Sequence, residues 1–133
     1  MKRHPALRQL SSDHHTGLVL ARKARQAAKG SVHDQQDAWM TLAVSFHAEL
    51  EPHFQTEEAG LLVALRRAGE NELVERTLTE HADMRGLIAQ DRPENLARFA
   101  ELLTAHIRFE EQQLFARAQE LLEADQLPGL VVA

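Results

Sequence analysis

Two histidine–carboxylate pairs recur in matching surroundings. His53-Phe-Gln-Thr-Glu57-Glu58-Ala-Gly-Leu61-Leu62 parallels His106-Ile-Arg-Phe-Glu110-Glu111-Gln-Gln-Leu114-Phe115, giving H-x-x-x-E-E-x-x-L-[LF] twice. On a helix, residues four apart share a face, so each imidazole and its carboxylate can grip a common ion. The chain has eight His, no Cys and no Tyr. Without Cys there is no thiolate nucleophile, no disulfide, no Cys-ligated zinc and no iron–sulfur cluster. Without Tyr there is no tyrosyl radical. Any metal must therefore be held by nitrogen and oxygen.

Helices must position these groups, because apolar residues recur with helical period almost throughout. Breaks fall at Gly30-Ser31-Val32-His33-Asp34, Ala68-Gly69-Glu70-Asn71 and Asp91-Arg92-Pro93. The predicted helices span about 11–29, 34–67, 71–90 and 93–123. Gly30 and Gly69 stand as C-terminal glycines, Asp34 and Asn71 as N-caps, and Pro93 at a first helical position. Short connections make neighbours antiparallel, so the expected fold class is all-α, an up-down-up-down four-helix bundle. The expected organisation is one domain over residues 1–133, with a core at about 10–123 and a short apolar tail at 127–133. Pro52 removes a backbone donor inside the second helix, which predicts a kink or brief interruption just before His53.

At 100° per residue, each helix carries one histidine in the middle of its apolar stripe. The stripes are Leu10, His14, Leu18 and Ala21; then Trp39, Leu42, Phe46, Leu50, His53, Glu57 and Leu61; then Val74, Leu78, His81, Met84 and Ile88; then Leu96, Phe99, Leu102, Leu103, His106 and Glu110. Antiparallel neighbours meet at positions equidistant from their loop. The midpoints of residues 14 and 53, 53 and 81, and 81 and 106 fall at 33 to 34, at 67 and at 93 to 94, at or within a few residues of the breaks. His14, His53, His81 and His106 can therefore share one layer of the core. Four imidazoles and two carboxylates there would be severely destabilising without a cation, since an unpaired buried carboxylate costs several kcal/mol. His47 and Glu51 also stand four apart, but lie about 120° off the His53 stripe and abut Pro52, which reads them as a surface pair. His4, at a terminus, and His33, in a loop, read as solvated. Two His per ion with Glu57 and Glu110 bridging gives four donors each, and a solvent bridge makes five. That set suits a pair of irons with an open octahedral position, manganese next, and does not exclude a zinc pair.

A His in the first helix, H-x-x-x-E in the second, a His in the third and H-x-x-x-E in the fourth resemble the hemerythrin-like family, the HHE cation-binding domain. The resemblance runs from Leu10-Ser-Ser-Asp-His-His to about Leu122. It implies a non-haem di-iron centre, bridged by an oxygen atom or hydroxide, inside a four-helix bundle. The implied iron ligands are His14, His53, Glu57, His81, His106 and Glu110. The implied roles are binding of O2, NO or peroxide for sensing, carriage, detoxification or repair of damaged iron centres. Oxygen carriers of that family place H-x-x-x-H on the third helix, whereas Thr77 and Arg85 flank His81 here, so a fifth histidine is missing. His15, Glu58 and Glu111 are the candidates to replace it. Carriers also place the last carboxylate five residues after its histidine, which selects Glu111; other branches use four, and helical phase favours Glu110. The pattern is closer to the four-histidine sensing and repair branches.

Two other functions compete. A ferritin-type iron-oxidising or storage bundle uses E-x-x-H from two helices, and no Glu here stands three residues before any His. A helical interaction module with a purely structural metal would use the tail 127–133 as a hook. The composition restricts the remaining choices. The 133 residues carry a formal charge of −5, with Lys and Arg scattered, so there is no electrostatic footprint for nucleic acid. The N-terminal stretch lacks an apolar h-region and no run reaches the roughly 18 apolar residues of a membrane span, so the expected location is cytoplasmic. Homo-oligomerisation is left open.

Overall fold

A computed structural model describes residues 3–122, and the tail expected at 127–133 lies outside them. The described residues form an all-α bundle of four helices. A short 3-10 turn, Pro5–Leu7, leads into α1 (Arg8–Ala27). Helix α2 (32–67) runs through Val32–Ser45, a π-turn at Phe46–Leu50, Glu51–Thr56, a second π-turn at Glu57–Leu61, and Leu62–Arg67. Helix α3 is Asn71–Gln90. After a 3-10 turn at Pro93–Asn95, α4 (96–121) runs through Leu96–Phe109, a π-turn at Glu110–Leu114, and Phe115–Leu121. Each helix packs on its sequence neighbour, and α1 and α4 close the ring. No helix among the described residues is long and apolar enough to cross a membrane.

The helix ends follow local chemistry, with some shifts from the sequence reading. Ser31 caps α2, accepting from the Asp34 N–H at 3.1 Å, while the Asp34 carboxylate reaches back to the Ser31 N–H. Asp34 is thus the third helical residue of a capping box, and His33 sits in the first turn of the helix, not in a loop. Asn71 is the first residue of α3, and its cap position, held by Glu70, has no side-chain hydrogen bond. Gly69 adopts φ +94°, with its own N–H on Arg66 and that of Glu70 on Leu65, the left-handed C-terminal motif that favours glycine. Gly30 does not need positive φ. Asp91 does, at φ 55°, and its carboxylate accepts from the Trp39 indole at 2.8 Å, tying the end of α3 to α2.

Pro52 acts as expected, by interrupting rather than ending its helix. The Glu51 N–H bonds to the Phe46 carbonyl, five residues back, just before the proline that cannot donate. In α1, Leu18 is 39% exposed and Gly17 is buried in its place. The physical reason is close approach: a Cβ on Gly17 would lie 2.9 Å from the Ile107 Cδ1 of α4, so the glycine faces inward and Leu18 turns out.

Two apolar clusters fill the bundle. One gathers Trp39, Phe46, Leu50, Phe54, Met84, Phe99, Leu103 and Ile107. The other gathers Leu7, Leu10, Leu61, Leu65, Val74, Phe109, Leu114 and Phe115. Between them lie buried His14, His53, Glu57, His81, His106 and Glu110.

Candidate metal centre

All six residues singled out from spacing converge, one histidine from each helix and one carboxylate each from α2 and α4. Glu57, His81 and Glu110 are 0% exposed, and His14, His53 and His106 no more than 5%. His53 Nε2 lies 3.5 Å from Glu57 and 3.9 Å from Glu110. His81 Nε2 lies 3.2 Å from Glu57 and 4.0 Å from Glu110, and His106 Nε2 lies 3.3 Å from Glu110. His14 Nε2 bonds the other Glu110 oxygen at 2.7 Å. Two donor groups result, His14–His53–Glu57–Glu110 and Glu57–His81–His106–Glu110, each with one atom per residue within 4.8 Å of the others. Both carboxylates belong to both groups.

The hydrogen-bond accounting tests whether a cation fits. His53 Nε2, His81 Nε2, His106 Nε2, both Glu57 oxygens and Glu110 Oε2 are buried without a hydrogen-bond partner. Each such atom costs about 1–3 kcal/mol in an apolar core, and nearly all buried polar groups elsewhere in proteins are paired. These six face one another, so cations placed among them would satisfy all of them with nitrogen and oxygen donors.

The family model of the hemerythrin HHE cation-binding domain matches residues 6–118. The chain belongs to that family. No curated protein and no solved structure gives a match. The hemerythrin domain and the buried His/Glu cluster together are compatible with a metal-binding site.

Local backbone helps to present the two shared carboxylates. The first Glu of each H-x-x-x-E-E copy opens a π-turn, with the Leu62 N–H on the Glu57 carbonyl and the Phe115 N–H on that of Glu110. The sequence repeat is therefore a backbone repeat too, and π-turns of this kind are concentrated at functional sites. Aromatic rings fix the imidazoles from behind. Phe54 stacks on His81 with centroids 3.9 Å apart, and Phe115 on His14 at 5.1 Å.

Spacing alone missed the outer ring of carboxylates. Each inward histidine offers its other nitrogen, Nδ1, to an acid from the preceding helix around the bundle. Asp13 of α1 takes His53 at 3.0 Å, Glu58 of α2 takes His81 at 2.6 Å, Glu80 of α3 takes His106 at 2.7 Å, and Glu111 of α4 takes His14 at 2.7 Å. All four stand beside a ligand candidate in sequence, as Asp13-His14, Glu57-Glu58, Glu80-His81 and Glu110-Glu111, the one signal that could have found them. Arg85 holds Glu58, Arg76 holds Glu80, and Arg3 with Ser11 holds Glu111. Glu58 and Glu111 are thus engaged by the Nδ1 atoms of His81 and His14, and His15 is exposed. His47 is exposed too, but Glu51 bonds Arg85 at 2.7 Å instead of pairing with it. His4 is half-buried: its Nδ1 accepts from the Ala6 N–H and its own N–H donates to Gln119. His33 is solvated as expected, 3.2 Å from Asp37.

The same contacts set the proton affinities. Burial opposes charge on His53, but the Glu57 carboxylate and the bond to Asp13 outweigh it and push the imidazolium up to about 12. His106, likewise opposed by burial, is raised to about 10 by Glu110 and Glu80, and His14 is raised by Glu110 and Glu111. Burial would raise the Glu110 carboxyl, yet His106, His14 and His53 hold it well below its ordinary value. The hydrogen bond from His53 lowers Asp13. For Glu80 and Glu111 the bonds from His106 and His14 win over burial.

A carboxylate on Nδ1 keeps a hydrogen on that nitrogen and aims the Nε2 lone pair inward once the ring is neutral. Glu58→Gln and Glu80→Gln are each expected to weaken metal binding about 10–100-fold while the helical circular-dichroism spectrum is retained. Competition against a chelator of known affinity reads the change, and an unaltered affinity in both variants removes the outer ring from the metal site.

Proposed function

We propose that this chain is a hemerythrin-like non-haem di-iron protein. His14 and His53 would hold one ion and His81 and His106 the other, with Glu57 and Glu110 shared between the two groups. The observation that carries the reading is the sharing of both buried carboxylates by two four-donor groups. Four N/O donors per ion leave positions open on an octahedral metal and suit iron, with manganese and zinc as competitors. When bound, such a pair supplies exchangeable coordination and redox chemistry toward O2, NO or peroxide, in the service of sensing, carriage, detoxification or repair.

The protein's own contribution is binding, orientation and exclusion of water. The Nδ1 partners and the stacked Phe54 and Phe115 hold the imidazoles in place, and the apolar clusters on either side limit the layer's access to water. Thr77, one of the two positions flanking His81 at the H-x-x-x-H spacing of the oxygen carriers, is buried and bonds the Leu73 carbonyl through its hydroxyl. Neither Thr77 nor Arg85, which holds Glu51 and Glu58, supplies a further imidazole, which supports a centre with more open coordination than a carrier has.

The test is metal analysis with optical spectroscopy of protein prepared aerobically from iron-supplemented cells, then reduced and exposed to O2 and to NO. About two irons per chain, with near-ultraviolet charge-transfer bands that change on ligand addition, are expected. One zinc, or no metal with a stable fold, refutes the reading.

A further inference from the structure

One side of the donor layer is not fully packed. A void of about 10 Å³ lies against His14, His53 and His106, walled by Leu50, Phe54, Leu103 and Ile107. That is about one water-sized sphere, or one end of a diatomic molecule. Next to it, between α1 and α2, a surface cleft of about 240 Å³ is lined by Asp13, Thr16, Gly17, Leu20, Glu49 and Leu50. Asp13 and Leu50 line both. Gly17 of the cleft meets Ile107 of the void at a seam, where a Cβ would lie 2.9 Å from Ile107 Cδ1 and 3.9 Å from Leu50 Cδ2.

The cleft has a chemical bias. Its described lining contains two acids, Asp13 and exposed Glu49, and no cation. The wall of the inner void that is not histidine or Asp13 is entirely apolar, so nothing there except the site's own groups can hydrogen-bond an incoming anion. An anion on this path meets like charge and then loses its hydration without replacement. A small uncharged molecule meets neither barrier.

We propose that this cleft is the access route to the centre, that Gly17 keeps it passable at the seam with Leu50 and Ile107, and that Asp13 and Glu49 select uncharged diatomic ligands over anions. The ligand class rests on the di-iron reading, whereas the route does not.

Two measurements test the two parts separately. On the metal-free full chain, methyl NMR spectra under raised dissolved-oxygen pressure report where O2 goes through paramagnetic broadening. The Leu50, Leu103 and Ile107 methyls are expected to broaden at least twofold more than those of Leu61, Leu65 and Leu114 in the other cluster. Gly17→Ala should reduce that excess at least twofold, because the new methyl drives the flexible end of Ile107 into the seam. Thr16→Trp, at the exposed rim and outside the core, should do the same and serves if Gly17→Ala folds poorly. Equal broadening in both clusters, or an excess unaffected by both variants, overturns the route.

On the iron-loaded protein, association of NO and of azide is followed by stopped flow. Glu49→Lys is expected to raise the azide association rate about tenfold at low salt and to leave that of NO within twofold. An unchanged azide rate, or an equal gain for both ligands, overturns the charge selection. If the protein takes up no iron, the di-iron reading and the ligand selection that rests on it fail together, while the first measurement still decides the route.

Discussion

Glu110→Ala is expected to abolish metal binding at both ends of the centre, taking the content from about two ions per chain to about none. His14→Ala, by contrast, should leave about one. The difference follows from position. One Glu110 oxygen lies 2.7 Å from His14 and 3.9 Å from His53, and the other 3.3 Å from His106 and 4.0 Å from His81. Its loss removes a donor and a negative charge from both groups, whereas His14 belongs to only one. The substitution also harms the metal-free bundle. With Glu110 gone, the raised imidazoles of His53 and His106 keep only Glu57 as an inner counter-charge, and breaking a buried pair by removing one partner costs about 3–5 kcal/mol. Thermal unfolding of metal-free Glu110→Ala should therefore occur well below that of the metal-free parent, and added metal should no longer raise it. Elemental analysis and unfolding with and without metal check both parts, and two ions retained in Glu110→Ala would exclude a bridging role.

The second large effect is a reversal of pH dependence on loading. In the metal-free protein His53 and His106 have folded pKa values raised from 6.5 to about 12 and about 10. Their contribution to stability is complete below about 6.5 and is lost as pH climbs through 10 and then 12, because the unfolded chain releases those protons first. The lowered carboxyls of Asp13, Glu80, Glu110 and Glu111 act in the opposite sense. Their contribution is complete above their ordinary values of 3.8 to 4.5 and is lost as pH falls through the folded ones. The metal-free bundle should thus be most stable at about pH 5 to 6.

Loading replaces those inward protons with cations. Displacing at least the two from His53 and His106 makes the affinity rise about a hundredfold per pH unit, ten for each proton released. Chelator competition at pH 6, 7 and 8 measures that slope, and the stability optimum of the loaded protein should move above pH 7. A slope near zero would mean that these histidines are already neutral before metal arrives.

Much of this protein is dictated one helix at a time. The 3.6-residue period and the two H-x-x-x-E-E copies suffice to put His14, His53, Glu57, His81, His106 and Glu110 on inward stripes. The near-equal distances of the histidines from their loops suffice to bring them to one level. The all-α bundle and the six-residue cluster were legible from that arithmetic, and the family from the resemblance that those residues carry. Other features depend on how the helices rotate and approach, which no single-helix periodicity encodes. Gly17 replaces Leu18 in the core because α4 comes close enough for Ile107 to occupy the space of a Cβ. The π-turns at Glu57 and Glu110 depart from the 100° step that a sequence reading assumes. The outer carboxylates lie next to the ligand candidates in the chain, yet each serves a histidine of the next helix, across an interface between helices. The sequence by itself determined which donors face inward, because facing is a property of one helix. Only the tertiary structure decided which acid orients which histidine and on which side a ligand can approach, because those are properties of pairs of helices.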